Sequence, residues 1–491
     1  MIKLIYIDLF CGAGGTSTGV EHARHNGEKC AKVVACVNHD TNAIASHAAN
    51  HPDAMHFTED IRTLDIAPLA AHLDKCSKQY PEAKVVLWAS LECTNFSKAK
   101  GGMPRDADSR TLAEHLFRYI EAINPDYIQI ENVEEFMCWG DLDENGKPIS
   151  RDKGTSYLMW VKNVCAYGYD YDWRILNAAD FGAYTSRRRF FGQFARHGLP
   201  IVFPTPTYAK NGDDGGMFQQ YKKWKPVREV LDLEDEGESI FTRKRPLVEK
   251  TLERIYAGLI KFVAAKAKVH FLSKQFGGDP AGKNISVDEP AGAITCRDHH
   301  AFVSAYYGNG FNSSIEDQSP TLTTADRLGI VTTQFYQNEY GAGGQLSSLD
   351  QPNPAMMTIP KQKLVSVKQY LMNPQFASAG GSIENPCFTL IARMDKMPPY
   401  LISTDEGIAI EVYDTDSLMT VKIKEFMALY GIADIRMRML RIGELKRIMG
   451  FPDDYTLIGT QAEQKKFIGN AVEVNMARVL CEALVEKLNK Q

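Results

Sequence analysis

The first 200 residues alternate between short apolar runs and segments with helical spacing. Apolar runs at Leu4–Leu9, Val33–Val37, Val85–Ala89 and Tyr127–Ile130 predict buried strands. Thr111–Ile123, between the last two runs, repeats apolar residues at the spacing of a helix face. Strands that alternate with helices predict an α/β fold, in which a mostly parallel sheet is covered on both faces.

Polar or glycine-rich motifs follow each predicted strand. Gly12–Gly15 follows the first strand and Asn38–Asp40 the second, while Cys93 and Glu131 follow the next two. In open α/β sheets, ligands bind beyond the carboxyl ends of the strands. The sequence therefore predicts one site that gathers all four motifs.

The composition divides the chain into three parts. A stretch rich in glycine, proline and polar residues at Pro204–Pro226 predicts a boundary, so that residues 1–205 form the first part of one domain. Residues 206–435 form a separate region in which Pro246–Ala265 reads as an amphipathic helix, and residues 436–491 return to mixed α/β character. Within the last part, Ile442–Met449 and Asn475–Leu488 are predicted helices.

Residues 271–402 contain an internal repeat. A serine, an apolar residue and an acid recur at Ser286, Ser314, Ser348 and Ser382, and a proline follows each time. The starts are 28, 34 and 34 residues apart, which predicts stacked β units. Most of these residues are expected to be structural, with any binding role on the exposed loops.

Charge and cysteine usage narrow the function classes. The formal net charge of −5 gives no global support for a nucleic-acid partner, so binding requires local basic surface. Arg187–Arg189 and Arg243–Arg245 are candidates. A solvated face is the alternative for either run, and for Arg243–Arg245 it is an equally good interpretation. Ten cysteines without a CxxC pair argue against a zinc ribbon or a disulfide framework, and no metal site is predicted.

The chain lacks the signals of a membrane or secreted protein. No apolar run approaches the roughly 18 residues of a membrane span, and the N-terminus is too short in apolar length for a signal peptide. We therefore expect a cytoplasmic protein in a reducing compartment.

The glycine loop Gly12-Ala13-Gly14-Gly15 allows a ligand to lie against the backbone. Such loops serve NAD, FAD and S-adenosylmethionine alike, and an ordinary strand–helix turn has the same composition. The dinucleotide spacing GxGxxG is absent because position 17 is Ser17. His39 alone is best explained as a half-buried loop histidine, although it could stack on an adenine.

Cys93 differs from the other cysteines in its surroundings. Most cysteines in a chain of this kind pack as small apolar residues. Cys93 instead lies among Thr94, Asn95 and Ser97, in a polar loop after a strand. A protease-like triad is not indicated, because no aspartate or histidine neighbours Cys93 in the sequence.

The ordered set of motifs resembles the DNA cytosine-5 methyltransferase family. The motifs that carry the resemblance are Asp8–Gly15, Ala89–Ser97 with its continuation Asp108–Leu112, Glu131-Asn132-Val133, Thr185–Arg189, Arg441–Pro452 and Phe467–Ala477. The resemblance covers residues 1–200 and 436–491, and the middle of the chain fits only as the variable target-recognition region. It implies a Rossmann-like catalytic domain with an inserted, β-rich target-recognition domain at 206–435.

The resemblance also implies a reaction and its residues. A Cys93 thiolate adds to C6 of a flipped-out cytosine in double-stranded DNA, which makes C5 nucleophilic towards the methyl group of S-adenosylmethionine. Glu131 holds N3 and the amino group, and Arg187 and Arg189 hold O2. The residues implied in cofactor binding are Asp8, Phe10, Gly12, Gly14, Gly15, Asn38, His39, Asp60, Ile61, Leu112 and Asn470.

The resemblance further implies a monomeric modification or solitary enzyme of a prokaryote or phage, with a cognate restriction endonuclease as a possible partner. Alternatives with the same motifs are an RNA cytosine methyltransferase, an enzyme that transfers another group, and a catalytically silent DNA-binding relative. Retention of Cys93, Glu131, Arg187 and Arg189 argues against the silent relative. The glycine spacing and the later motifs argue against a dinucleotide oxidoreductase.

Four positions depart from the family pattern. Glu92 and Thr94 flank the cysteine where the family has proline and glutamine, Asn38 replaces the ribose-binding glutamate, and Thr185 replaces a glutamine. A carboxylate beside Cys93 disfavours its thiolate electrostatically. The hypothesis is that this loop accommodates an altered base, transferred group or target context.

Overall fold

The described part of the chain is largest at its two ends. The structure is a computed structural model, and it describes residues 1–91, 113–141, 143, 149–150, 152–212, 220–232, 234–235, 237–260, 412–413, 415–430 and 432–490, together with the backbone of the strands between 271 and 406. Cys93 and Leu112 lie outside the described residues, as do Ser314 and Ser382 of the repeat.

A seven-stranded sheet organises the first 200 residues. Its strands are β1 (Leu4–Leu9), β4 (Ala31–Asn38), β5 (Met55–Thr58), β6 (Lys84–Ser90), β7 (Tyr127–Asn132), β8 (Tyr169–Asn177) and β9 (Arg188–Arg196). The strands β2 (Arg24–His25) and β3 (Glu28–Lys29) form a separate short hairpin between β1 and β4. The spatial order in the sheet is β5-β4-β1-β6-β7-β9-β8. Neighbours from β5 to β7 pair in parallel, whereas β9 pairs antiparallel with both β7 and β8. The predicted mostly parallel α/β fold is confirmed.

Helices cover both faces of the sheet. The helices of the described residues, in chain order, are α1 (Gly15–His22), α2 (Thr41–Asn50), α3 (Ala67–Gln79), α4 (Leu116–Ile123), α5 (Thr155–Cys165), α6 (Glu249–Leu259), α7 (Leu418–Tyr430), α8 (Ile442–Ile448), α9 (Gln461–Asn470) and α10 (Val474–Leu488), of which α6 and α7 pack away from this sheet. The predicted helix Thr111–Ile123 is described only from Leu116, after a turn at 113–115. The helix predicted at Pro246–Ala265 begins later, at Glu249, and its described part ends at Leu259.

The central strand β1 shows how the sequence builds the two-faced core. All six of its residues are buried, as expected for a central parallel strand. Ile5, Ile7 and Leu9 pack in a cluster with α3, α4 and α5. Leu4 and Tyr6 point to the other face, where they share a cluster with α1 and α10. The period of two along β1 therefore sandwiches the sheet between an early helix layer and the C-terminal helix.

A second, antiparallel β region follows residue 237. Its strands are β12 (Glu238–Ser239), β13 (Phe271–Ser273), β14 (Asn284–Ser286), β15 (Ala301–Ser304), β16 (Phe335–Asn338), β17 (Gln345–Ser348), β18 (Tyr370–Met372), β19 (Tyr400–Glu406) and β20 (Ile432–Met439), and the short strands β10 (Tyr208–Ala209) and β11 (Lys222–Lys223) precede them. The order β12-β20-β15-β18-β19, with a further β19–β20 pairing, joins four strands in a closed cycle. The predicted boundary at 435/436 falls inside β20.

The two described members of the repeat have the same backbone register. Ser286 ends the second strand of an antiparallel hairpin and pairs with Phe271. Ser348 does the same and pairs with Phe335. The repeated serine therefore marks the end of a β-hairpin in both described units. Within the described parts of the chain, no helix combines the length and apolar character that a membrane crossing requires.

A buried ion pair joins β20 to α8. Arg438 donates from both terminal nitrogens to the two carboxylate oxygens of Glu444, at 2.8 Å each, and these side chains are 9% and 3% exposed. Glu444 also accepts from the backbone nitrogens of Asp232, at 2.9 Å, and Arg441, at 2.7 Å. Four donors thus satisfy one buried carboxylate, which fixes the start of α8 against the β region.

Glu444→Ala is expected to lower the free energy of unfolding by about 2–3 kcal/mol, because it removes four hydrogen bonds to a buried carboxylate and leaves Asp235, 3.0 Å from Arg438 Nε, as the remaining ion-pair partner of Arg438. Urea unfolding followed by circular dichroism measures the change. Glu486→Ala is the matched control, since it removes an exposed pair with Lys490 and should leave the stability nearly unchanged. Equal destabilisation by the two variants would contradict the assignment.

Candidate active site

Two of the predicted catalytic side chains meet at adjacent strand ends. Glu131 lies near the end of β7 and Arg189 near the start of β9, which run antiparallel. Arg189 Nε lies 3.2 Å from Glu131 Oε1, and the two side chains are 13% and 7% exposed. The sequence analysis placed Glu131 after its strand, but the strand extends through Asn132. The pair is a nearly buried, charged hydrogen-bonding group.

The segment that leads to Cys93 begins beside this pair. Ser90, the last residue of β6, is the register partner of Glu131. Asn132 Nδ2 donates to the Leu91 carbonyl over 3.3 Å, and Asn132 Oδ1 accepts from the backbone nitrogen of Val133 at 2.8 Å. Leu91 is the last described residue before the gap. Its connection to Asn132 gives that side chain a role that sequence reasoning had not assigned.

The other two arginines of the basic run have different partners. Arg187 is buried and donates to the Gly469 carbonyl over 3.2 Å. Arg188 pairs with Glu134 at 3.0 Å on the more exposed side. The run is therefore not a uniform solvated face: Arg189 binds Glu131, while Arg187 ties the start of β9 to the segment that ends α9.

The glycine loop has the backbone freedom that its sequence predicted. Gly12 and Gly14 have positive φ angles of 53° and 99°, and Phe10 also has a positive φ of 60°. A Cβ built on Gly12 meets nothing within 4 Å, whereas one on Gly14 would collide with the Tyr455 hydroxyl. The loop is thus open at Gly12 and closely packed at Gly14.

The C-terminal part of the chain packs directly on this loop. Tyr455 donates to the Ala13 carbonyl at 2.5 Å, and burial raises its pKa. A Cβ on Gly15 would lie 2.5 Å from the Val472 carbonyl. Asn470, the last residue of α9, is exposed two residues before this contact. Tyr455 was missed by the sequence analysis, although it lies three residues after the Arg441–Pro452 motif.

The remaining predicted cofactor residues lie after β4 and β5. Asn38 Oδ1 accepts from the Asp40 backbone nitrogen at 2.9 Å, and His39 is exposed. Asp60 binds the guanidinium of Arg62, which lowers the pKa of the Asp60 carboxyl. Ile61 is buried, and its carbonyl accepts from the Tyr119 hydroxyl at 3.0 Å.

A buried polar chain starts at Asp8 beneath the glycine loop. Ser17 donates to Asp8 Oδ2 at 2.8 Å, and His47 Nε2 lies 2.8 Å from the Ser17 oxygen. Burial raises the pKa of the Asp8 carboxyl to about 8, and the hydrogen bond from Ser17 opposes this rise only in part. Sequence reasoning assigned Asp8 to the cofactor motif but missed Ser17 and His47, whose spacing carries no signature.

Comparison with known proteins identifies relatives. The model of the C-5 cytosine-specific DNA methylase family matches residues 4–253 and 334–486. The Type II methyltransferase M.AgeI of Thalassovita gelatinovora is 32% identical over 212 residues, which cover 43% of this chain and 44% of that protein. The Type II methyltransferase M.XorII of Xanthomonas oryzae pv. oryzae is 30% identical over 211 residues, with 42% and 44% covered. The matches thus span less than half the length of these two relatives.

A solved structure of a DNMT2 mutant from Spodoptera frugiperda aligns with a TM-score of 0.48 and 14% identity. The alignment covers 98% of this chain and 100% of that chain.

Proposed function

The chain belongs to the C-5 cytosine-specific DNA methylase family, and we propose that it transfers a methyl group from S-adenosylmethionine to C5 of cytosine in double-stranded DNA. The observation that carries the proposal is the nearly buried Glu131–Arg189 pair, which lies opposite Ser90 at the start of the Cys93 segment. Cys93, the proposed nucleophile, is the third residue after Ser90 in the sequence.

In the proposed reaction, Cys93 supplies the nucleophile. Its thiolate forms a bond to cytosine C6, and the electrons of the C5–C6 double bond make C5 an enamine-like nucleophile. Bound S-adenosylmethionine supplies an electrophilic methyl group on a sulfonium. After transfer, loss of the C5 proton returns electrons to the ring, and the Cys93 sulfur leaves to restore the double bond.

Glu131 and Arg189 stabilise the charge that develops during this addition. Glu131 holds N3 and the exocyclic amino group, and so favours protonation at N3 while Cys93 attacks. Arg189 is close enough to Glu131, at 3.2 Å, to fix the carboxylate while it contacts O2 of the base. Arg187 connects the start of β9 to α9 by its hydrogen bond to the Gly469 carbonyl, and so supports the position of Arg189. Burial of the pair strengthens each interaction, because little water competes with it.

The glycine loop fits the cofactor. Space remains open where Gly12 lacks a side chain, and Phe10 and Asn38 lie at the ends of neighbouring strands. Gly14, Gly15 and Asn470 belong to the loop and to the segment that packs against it. Asp8, His39, Asp60, Ile61 and Leu112 complete the proposed set by their places in the family motifs.

Gly12→Ala is expected to weaken S-adenosylmethionine binding at least about tenfold, because the methyl group would occupy the open space against which the cofactor lies. Isothermal titration calorimetry measures the affinity. Gly27→Ala is the matched control, since Gly27 also has positive φ and open surroundings but lies in the β2–β3 turn. Both substitutions place an alanine at a positive φ angle, which costs about 1 kcal/mol in each variant. A difference between the variants therefore does not come from backbone strain. Equal affinities in the two variants would contradict the cofactor assignment.

The substrate side of the proposal rests on the family and on the chemistry. A stacked cytosine cannot reach a nearly buried pair, so the base must leave the duplex. Residues 206–435 are proposed to read the DNA sequence. The family resemblance implies a monomeric modification or solitary enzyme in the cytoplasm of a prokaryote or of a phage-infected host, with a restriction endonuclease as a possible partner. The names of the Type II relatives agree with a modification enzyme.

Nucleoside mass spectrometry tests the proposal. DNA from cells that express the chain is expected to contain 5-methylcytosine, and DNA from cells with the Cys93→Ala variant is not. Unmodified cytosine in DNA but methylated cytosine in RNA would move the substrate to RNA. A heavier cytosine derivative would show transfer of a different group and would implicate the Glu92 loop.

A further inference from the structure

Four potential metal ligands converge beneath the glycine loop. The ligand atoms of Cys11, Cys36 and His47 all lie within 4.8 Å of one another, and all three residues are buried. His56 lies outside this group, but its Nε2 is 2.9 Å from His47 Nδ1, so a small movement of its ring would add a fourth ligand. Cys11 follows β1, and the others come from β4, α2 and β5. We propose that these two thiols and two imidazoles form a structural Zn²⁺ site.

The distance between Cys36 and His47 matches a tetrahedral zinc site, and ligand atoms as far apart as 4.8 Å would need to approach by about 1 Å. Bonds of about 2.3 Å to sulfur and 2.0–2.1 Å to nitrogen place a sulfur and a nitrogen ligand about 3.5 Å apart, and two nitrogens about 3.3 Å apart. Cys36 Sγ lies 3.5 Å from His47 Nδ1. The two histidine nitrogens need to separate by only about 0.4 Å to admit the ion.

The neighbours of His47 direct its free nitrogen into the cluster. Since the Ser17 hydroxyl donates to Asp8, its oxygen is left to accept a proton from His47 Nε2. The lone pair is then on Nδ1, which faces Cys36 and His56. A carboxylate that orients a ligating histidine from behind is the usual outer arrangement of zinc sites. Here Ser17 relays that orientation.

Charge also favours a cation at this place. Asp8 is fully buried, its Oδ1 has no hydrogen-bond partner in the described parts of the chain, and no ion pair there involves Asp8. Burial raises the pKa of this carboxyl, and a nearby cation would favour its ionised form. A dication at the cluster would be linked to Asp8 through His47 and Ser17. It would also neutralise the thiolates of Cys11 and Cys36. His56 is only partly buried, which leaves a path for the ion to enter.

The site would hold the cofactor loop in place. Cys11 directly precedes Gly12, so an ion bound to it would cross-link the loop to β4, α2 and β5. The inference does not depend on the proposed methyl transfer, because metal binding can be measured without a reaction. It departs from the sequence analysis, which predicted no metal site.

Metal content of the full chain, purified without a histidine tag and dialysed against a weak chelator, tests the site. We expect about one zinc per chain by mass spectrometry, and Co²⁺ substitution should give the intense visible bands of a tetrahedral thiolate site. Cys36→Ala and His47→Gln should lose the metal. Cys76→Ala is the matched control, since Cys76 also lies 3.5 Å from a histidine nitrogen, that of His72. This variant should keep the metal, because Cys76 lies outside the cluster.

Two milder variants keep the test decisive if a core substitution prevents folding. Ser17→Ala removes only the outer hydrogen bond and should weaken zinc binding about 10- to 100-fold, and His56→Asn should weaken it from the accessible side. Zinc retained in both, no zinc in the wild-type chain, or cobalt spectra without thiolate bands would overturn the proposal. A Cys11–Cys36 disulfide in the purified protein, detected by thiol alkylation and mass spectrometry, would also overturn it.

Discussion

Replacing Cys93 with alanine is expected to reduce the rate of cytosine methylation by at least about 10⁴-fold, since loss of a covalent nucleophile removes the route through the activated ring. C5 of cytosine is too weak a nucleophile to take the methyl group unaided. The measurement is transfer of labelled methyl groups to duplex DNA under single-turnover conditions. DNA and cofactor binding are expected to change little, which separates a chemical role from a structural one.

Cys76→Ala serves as the control for this substitution. Cys76 is a buried cysteine of α3, far in sequence from the motif loop, and its loss should leave the rate within a few-fold of wild type. If Cys93→Ala retains a methylation rate similar to that of Cys76→Ala, the proposed mechanism is contradicted.

Glu131→Gln is expected to lower kcat by about 10²–10⁴-fold, because a neutral amide can hold the base but cannot favour its protonation at N3. The change also removes the charge that Arg189 contacts at 3.2 Å. Affinity for DNA should be nearly unchanged, so the effect should appear in kcat rather than in KM.

Glu134→Gln is the matched control for Glu131. Glu134 lies three residues further along and pairs with Arg188 at a similar distance, 3.0 Å, but that pair is 35% and 60% exposed. Water screens it, and its loss should have little effect on the rate. Comparable losses in the two variants would mean that the Glu131 effect is general electrostatics rather than contact with the base.

Local patterns predicted four of the five parallel strands, and missed the short edge strand β5 (Met55–Thr58). Continuous apolar runs such as Leu4–Leu9 occur where a strand is covered on both faces, and the structure extends each predicted strand by at most two residues at either end. The antiparallel strands β8 and β9 were not predicted. β8 lies at the sheet edge, and its mixed exposed and half-buried residues give no clear period.

Contacts between distant segments could not be predicted from spacing. Tyr455 reaches Ala13 across 442 residues, and the Arg438–Glu444 pair is completed by Asp232 from another part of the chain. The candidate zinc ligands are similarly hidden, because Cys11, Cys36, His47 and His56 lack the short CxxC spacing on which sequence detection relies. The order of the motifs predicted that Glu131 and Arg189 are site residues. That their side chains lie within hydrogen-bonding distance became evident only from the folded structure.

Trapping with 5-fluorocytosine DNA tests the central claim most directly. Fluorine at C5 cannot leave as a proton does, so the sulfur–C6 bond formed during attack should persist after methyl transfer. In the presence of S-adenosylmethionine, we predict a DNA–protein complex that survives denaturation and whose modified peptide contains Cys93. Absence of a stable complex with an otherwise active protein, or attachment at another residue, would contradict the account.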